Sequence, residues 1–108
     1  MTREAGDEFE DYISYLLNIK KTTNSGAKYD NGDLSNKDLI IECKVKSKDG
    51  FQPCGKEIQK VINQANKHFK EWLYIQKTNK ETYVVLSLDH YLTLISDKNE
   101  QARKDNNS

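Results

Sequence analysis

The run Asp38–Lys46 constrains the fold of this chain more than any other stretch. Leu39, Ile41, Cys43 and Val45 alternate with Ile40, Glu42, Lys44 and Lys46, the period of two that puts successive side chains on opposite faces of a β-strand. Glu42 and Lys44 therefore share a face, about 6–7 Å apart along the strand. Strong apolar alternation makes this strand the expected centre of a sheet.

Upstream, Glu4–Asn18 reads as a helix, because Ala5, Phe9, Tyr12, Ile13, Leu16 and Leu17 recur at three- and four-residue steps. Its acids cluster in the first turns, where the helix dipole favours them. Thr22–Gly32 is turn-rich, and short strands are expected at Lys20–Thr23 and Asp33–Ser35. Downstream, Ser47–Gly55 is a loop and Lys56–Lys70 a second helix with Ile58, Val61, Ile62, Ala65 and Phe69 on its apolar stripe. Lys56, Lys60, Lys67 and Lys70 fall off that stripe. Strands follow at Trp72–Gln76 and Thr82–Leu88, then a short packed segment carrying Tyr91, Leu92, Leu94 and Ile95. This order predicts one α/β domain over residues 1–95, a mixed central sheet with helices against its faces, and a disordered polar tail over 96–108.

Composition bears on how such a domain is completed. Of 108 residues only 35% are hydrophobic, below the roughly 45–50% of an ordinary globular domain. A chain this short buries only about 60–70% of its unfolded surface, so a second subunit is an expected remedy. The formal charge is zero but segregated: residues 1–42 carry −4, residues 43–80 carry +6 and residues 81–108 carry −2. An acidic front beside a basic middle suits a divalent cation and a phosphate respectively, and equally suits two solvated faces. No apolar run approaches a membrane span, and the acidic N-terminus is unlike a secretory leader, so a cytoplasmic location is expected, the host cytoplasm if the chain is phage-encoded. Cys43, Cys54, His68 and His90 lack zinc-site spacing, and Cys43 reads as a buried thiol.

The informative constellation is Asp33, Glu42 and Lys44, with Glu10 upstream. Two carboxylates on neighbouring strands suit a hard cation such as Mg²⁺, with Mn²⁺ as a substitute, and a lysine on the same strand face reaches a phosphate oxygen. With eight glutamates and fifteen lysines, a Glu-x-Lys triplet also arises as a plain surface ion pair. Its place in the strongest strand, behind Asp33 and an acidic helix, sets it apart. Lys46, Lys48 and Phe51 combine charge with an aromatic ring in the way DNA contacts do, or form a loop with one anchoring Phe. Lys56 and Lys60 either track phosphates or form a solvated face, and Gln59 and Gln64 lie near the site or at the surface.

The run SGAKYDNGDLSNKDLIIECKVK resembles the active-site segment of the PD-(D/E)xK nuclease superfamily. With GDEFEDYISYLL before it, the chain is similar to archaeal-type and phage Holliday junction resolvases over roughly Gly6–Leu88. The resemblance implies a restriction-endonuclease-like αβββαβ core. It implies Asp33, Glu42 and Glu10 as metal ligands, Lys44 as the catalytic lysine and Ser25 near the scissile phosphate. Lys28, Lys46, Lys48, Lys56 and Lys60 are the candidate DNA contacts. Gly32 stands where the superfamily has proline, and Asp30 and Asp38 are rivals to Asp33. The implied activity is metal-dependent cleavage of branched DNA in recombination and repair, by a homodimer on a four-way junction. The alternatives are a restriction-like or flap- and nick-specific nuclease of the same superfamily, and a non-catalytic DNA-binding or interaction module.

Overall fold

A computed structural model describes residues 3–22 and 32–106. Helix α1 (Arg3–Leu17) is followed by strands β1 (Leu34–Ser35) and β2 (Leu39–Val45), helix α2 (Gly55–Lys67), strands β3 (Glu71–Lys77) and β4 (Thr82–Val85), and helix α3 (Leu88–Asn106). The four strands form one mixed sheet in the order β1-β2-β3-β4. β1 and β2 pair antiparallel, β2 and β3 parallel, β3 and β4 antiparallel. A parallel pair needs a crossover, which α2 supplies. This is the α/β sheet flanked by helices that the sequence predicts.

Both faces of β2 are covered. One carries Ile41 and Cys43 against Phe9 and Ile13 of α1, with Ile19, Leu34 and Ile75. The other carries Ile40 against Val61 of α2 and Tyr74, with Phe51, Ile58 and Trp72 packed around them. Burial of Ile40, Ile41, Glu42 and Cys43 in succession follows, as expected of an interior strand between two helical layers. Asn36 sets the β1–β2 turn: its Oδ1 accepts the backbone N–H groups of Asp38 and Leu39 at 2.8 and 2.7 Å.

Several expectations change. The predicted strand at Lys20–Thr23 is, within the described residues, a single bridge between Lys21 and Leu34. The strand from Thr82 ends at Val85, and Leu88 begins a helix. Tyr91, Leu92 and Leu94 are exposed on that helix rather than packed. The residues from Ser96, expected as a polar tail, continue α3 to Asn106. Polar residues of ordinary helix propensity sustain a helix that local apolar periodicity does not reveal. Phe69, placed by periodicity on the apolar stripe of α2, lies beyond the helix end and is 97% exposed. No helix among the described residues is long and apolar enough to cross a membrane.

Candidate active site

Asp33 reaches the site because its backbone is tied to β2 on one side and to the segment after α1 on the other. Its backbone N–H donates to the Ile41 carbonyl at 2.9 Å, and its own carbonyl accepts the Thr22 N–H at 2.9 Å. Its carboxylate accepts the Cys43 backbone N–H at 2.8 Å. Glu42 is buried on the α2 face of β2, opposite Tyr74 in register, and its side chain shares a hydrogen bond with Asp33. Burial, that hydrogen bond and the Asp33 charge push Glu42 up to about 8, against the partial relief of Lys44 and Lys60. Two carboxyl groups in this position hold a proton or invite a cation.

Glu10 comes from α1 on the other side of Asp33. Burial first, then the Asp33 charge, push it up to about 7, with Lys21 opposing. The Lys21 ammonium lies 4.0 Å from Glu10 and 2.9 Å from Asp11. Asp33 is thus the common member: Glu10 feels it from one side and Glu42 from the other. The sequence signals Lys21 only by its place one turn beyond an acidic helix. Asp38 is exposed at the entry to β2, and its backbone atoms serve the Asn36 turn and β3. Asp30, Ser25 and Lys28 lie outside the described residues.

The burial of Cys43 pushes its thiol well above the ordinary range, so it is an inert packing group. Among the described residues no three His, Cys, Asp or Glu side chains form a ready cage for a metal ion. The Asp33 and Glu42 pair nevertheless fits a hard divalent cation, since such ions take oxygen donors, often only one or two carboxylates, and retain several waters.

A second polar cluster lies beside Lys44, and only the tertiary structure reveals it. Lys44 is opposite Gln76 in register, as Glu42 is opposite Tyr74. The Tyr74 hydroxyl donates to Glu57 Oε2 at 2.8 Å and accepts from Gln76 Nε2 at 3.0 Å. Gln76 also clamps the loop after β2, accepting the Gln52 N–H at 2.7 Å and donating to the Gln52 carbonyl at 2.9 Å. Glu57 Oε1 lies 3.6 Å from Lys46 Nζ. Burial pushes Glu57 up, but the Tyr74 hydrogen bond and the Lys44 and Lys46 charges outweigh it and hold the carboxyl below its ordinary value. The one sequence signal for Glu57 is its solitude, an acid at the start of a basic helix. Tyr74→Phe leaves Gln76 and Glu57 short of a partner, so urea unfolding should show a loss of about 1–3 kcal/mol. An unchanged midpoint would show that water replaces the hydroxyl.

The candidate DNA contacts divide accordingly. Lys46 is half-buried and paired with Glu57, whereas Lys48, Lys56 and Lys60 are exposed. Phe51 is an anchor: its ring meets Tyr83 edge-on at 5.4 Å. Gln64 is buried on α2, while Gln59 is exposed and bonded to Asn63.

No family model and no curated protein sequence matches the chain. Its fold is similar to that of the solved structure of Archaeoglobus fulgidus Hjc, a Holliday junction resolvase from an archaeal hyperthermophile. The TM-score is 0.55 at 17% identity, covering 73% of each chain. The chain therefore has a restriction-endonuclease-like fold.

Proposed function

We propose that the chain is a metal-dependent endonuclease of the PD-(D/E)xK type that cleaves branched DNA as a homodimeric Holliday junction resolvase. The observation that carries this reading is the meeting of Asp33 and Glu42 beside Lys44 on the central strand of a resolvase-like sheet. Asp33 and Glu42, with Glu10 behind Asp33, would hold Mg²⁺ or Mn²⁺, which supplies Lewis-acid polarisation of the phosphodiester and a more acidic water. Lys44 would place its ammonium on a phosphate oxygen and neutralise charge that grows in the displacement. The Lys44 charge also acts on Glu57, an acid beside the proposed phosphate contact. Lys48, Lys56 and Lys60, together with Lys28 and Lys46, would attract the phosphate backbone, and Ser25 keeps the role that the resemblance implies.

A dimer supplies two sites for the two symmetric incisions of a junction. The surface that favours it is α3, which packs sparsely on the body and exposes Leu88, Tyr91 and Leu92 at helical spacing. Leu92→Glu should convert a dimer to a monomer in sedimentation analysis and abolish paired incision. A monomeric wild type removes this part of the reading.

The test of the activity is incubation with a four-way junction, a flap and a linear duplex in Mg²⁺ or Mn²⁺. Preferential cutting of the junction, lost in Asp33→Ala, is the expected result. Preference for the flap or duplex leaves the chemistry and replaces the substrate. No cleavage of any substrate under either metal refutes the enzyme.

A further inference from the structure

Helices α1 and α2 end in the same backbone motif but differ at the residue that decides its cost. After α1, the Ile19 N–H returns to the Ser14 carbonyl at 3.2 Å and the chain turns through Asn18 at φ +55°. After α2, the Lys70 N–H donates to the Ala65 carbonyl at 2.9 Å and the Phe69 N–H to the Asn66 carbonyl at 3.3 Å, with Phe69 at φ +56°. This is the Schellman arrangement, whose left-handed position favours Gly, tolerates Asn and strains an aromatic residue. Packing ordinarily offsets such strain, yet the Phe69 side chain lies in solvent, 97% exposed. A local rule broken without compensating packing marks a side chain retained for what it touches outside the molecule.

The surroundings identify the chemistry of that contact. Lys56, Lys60 and Lys67 recur at steps of four and seven and so form one stripe along α2. The charge of Lys60 acts on Glu42, which puts the stripe on the candidate-site side of the helix. Lys67 and Lys70 flank Phe69, and no acid stands between Glu57 and Glu71. A cationic track that ends in a bare aromatic ring is complementary to a phosphate backbone with an exposed base. From Lys60 to Lys67 the stripe is about 10 Å long at helical rise, about three base-pair rises of ~3.4 Å, and Phe69 follows just past the helix end.

We infer that Phe69 is the stacking contact for an exposed base of the DNA substrate, placed just beyond the end of the lysine stripe of α2. The inference rests on the nuclease reading for its substrate but is tested without cleavage. A branch point interrupts stacking and exposes base faces, whereas continuous duplex keeps its bases stacked.

The experiment is titration of a four-way junction carrying 2-aminopurine at the branch, and of a linear duplex, in the absence of divalent metal. Wild type, Phe69→Gly and Phe69→Trp are compared. Phe69→Gly should bind the junction about tenfold more weakly, as expected of one lost base–aromatic stack. It should also lose the 2-aminopurine response, while keeping the wild-type salt dependence because no charge changes. Its thermal midpoint should rise by about 4–8 °C as the left-handed strain is relieved. Phe69→Trp should restore junction binding. Equal binding and fluorescence in wild type and Phe69→Gly overturn the inference. So does a loss of self-association at Phe69→Gly with unchanged DNA affinity, which would make Phe69 a contact between copies of the chain. Phe69-dependent junction binding without cleavage in Mg²⁺ or Mn²⁺ overturns the nuclease reading alone, and absence of any DNA binding overturns both.

Discussion

Glu42→Gln should stabilise the metal-free protein at pH 8 by about 1–3 kcal/mol while lowering junction cleavage on the order of 10³-fold. The folded protein holds Glu42 at about 8 because burial, the hydrogen bond with Asp33 and the Asp33 charge favour the neutral form. The unfolded chain releases that proton near 4.3. A raised carboxyl contributes its stability fully below the unfolded value and loses it as pH rises through the folded one. Stability of the metal-free wild type therefore falls between about pH 4.3 and pH 8, and Glu10, raised to about 7, adds to the decline. Glutamine stays neutral throughout and keeps a donor for Asp33. Mg²⁺ should stabilise the wild type at pH 8, in proportion to its binding, and stabilise Glu42→Gln far less. Urea unfolding at pH 5 and pH 8, with and without Mg²⁺, measures these shifts. A flat wild-type profile, or cleavage by Glu42→Gln at the wild-type rate, removes Glu42 from the proposed site.

Gly32→Ala should cost about 2–4 kcal/mol, a fall of about 10–20 °C in thermal midpoint, and take most of the cleavage activity with it. Gly32 has φ +65°, and a β-carbon there would stand 2.8 Å from the Ile41 carbonyl oxygen and 2.9 Å from Ile40 Cγ2. That carbonyl is the acceptor of the Asp33 N–H. The clash therefore pushes apart the bond that anchors the aspartate, so stability and geometry fail together. Gly50→Ala, where a β-carbon meets nothing within 4 Å, should be nearly neutral and serves as the control. Calorimetry and the junction assay on the two variants make the comparison, and equal midpoints would show that the Gly32 turn relaxes freely. The same geometry excludes proline at this position: a proline ring fixes φ near −65°, incompatible with the φ of +65° at Gly32.

How far the site was legible depended on whether a relation lay within one element or between elements. Alternation along Leu39–Val45 put Glu42 and Lys44 on one face, and the structure keeps them there because register in a strand follows from its own pleat. The acidic first helix announced itself by local spacing. Glu57, Tyr74 and Gln76 sit 17 and 2 residues apart in sequence, and no short-range pattern says that a helix start will meet the hydroxyl of a later strand. Phe69 shows the converse error. Its spacing continues the apolar stripe of α2, but the helix stops at Lys67 and the left-handed turn swings the ring into water.

The sequence alone determined the central strand, its flanking helices, the acidic and basic division of the chain and the carboxylate and lysine types on offer. These follow from side-chain periodicity and composition, which act over a few residues. Only the tertiary structure decided that Asp33 sits between Glu10 and Glu42, that Lys44 shares its surroundings with Glu57, and that α3 and Phe69 present apolar groups to solvent. Those facts depend on how strands align and helices end against the rest of the molecule. The free energies there come from contacts between distant residues, and a local pattern does not record them.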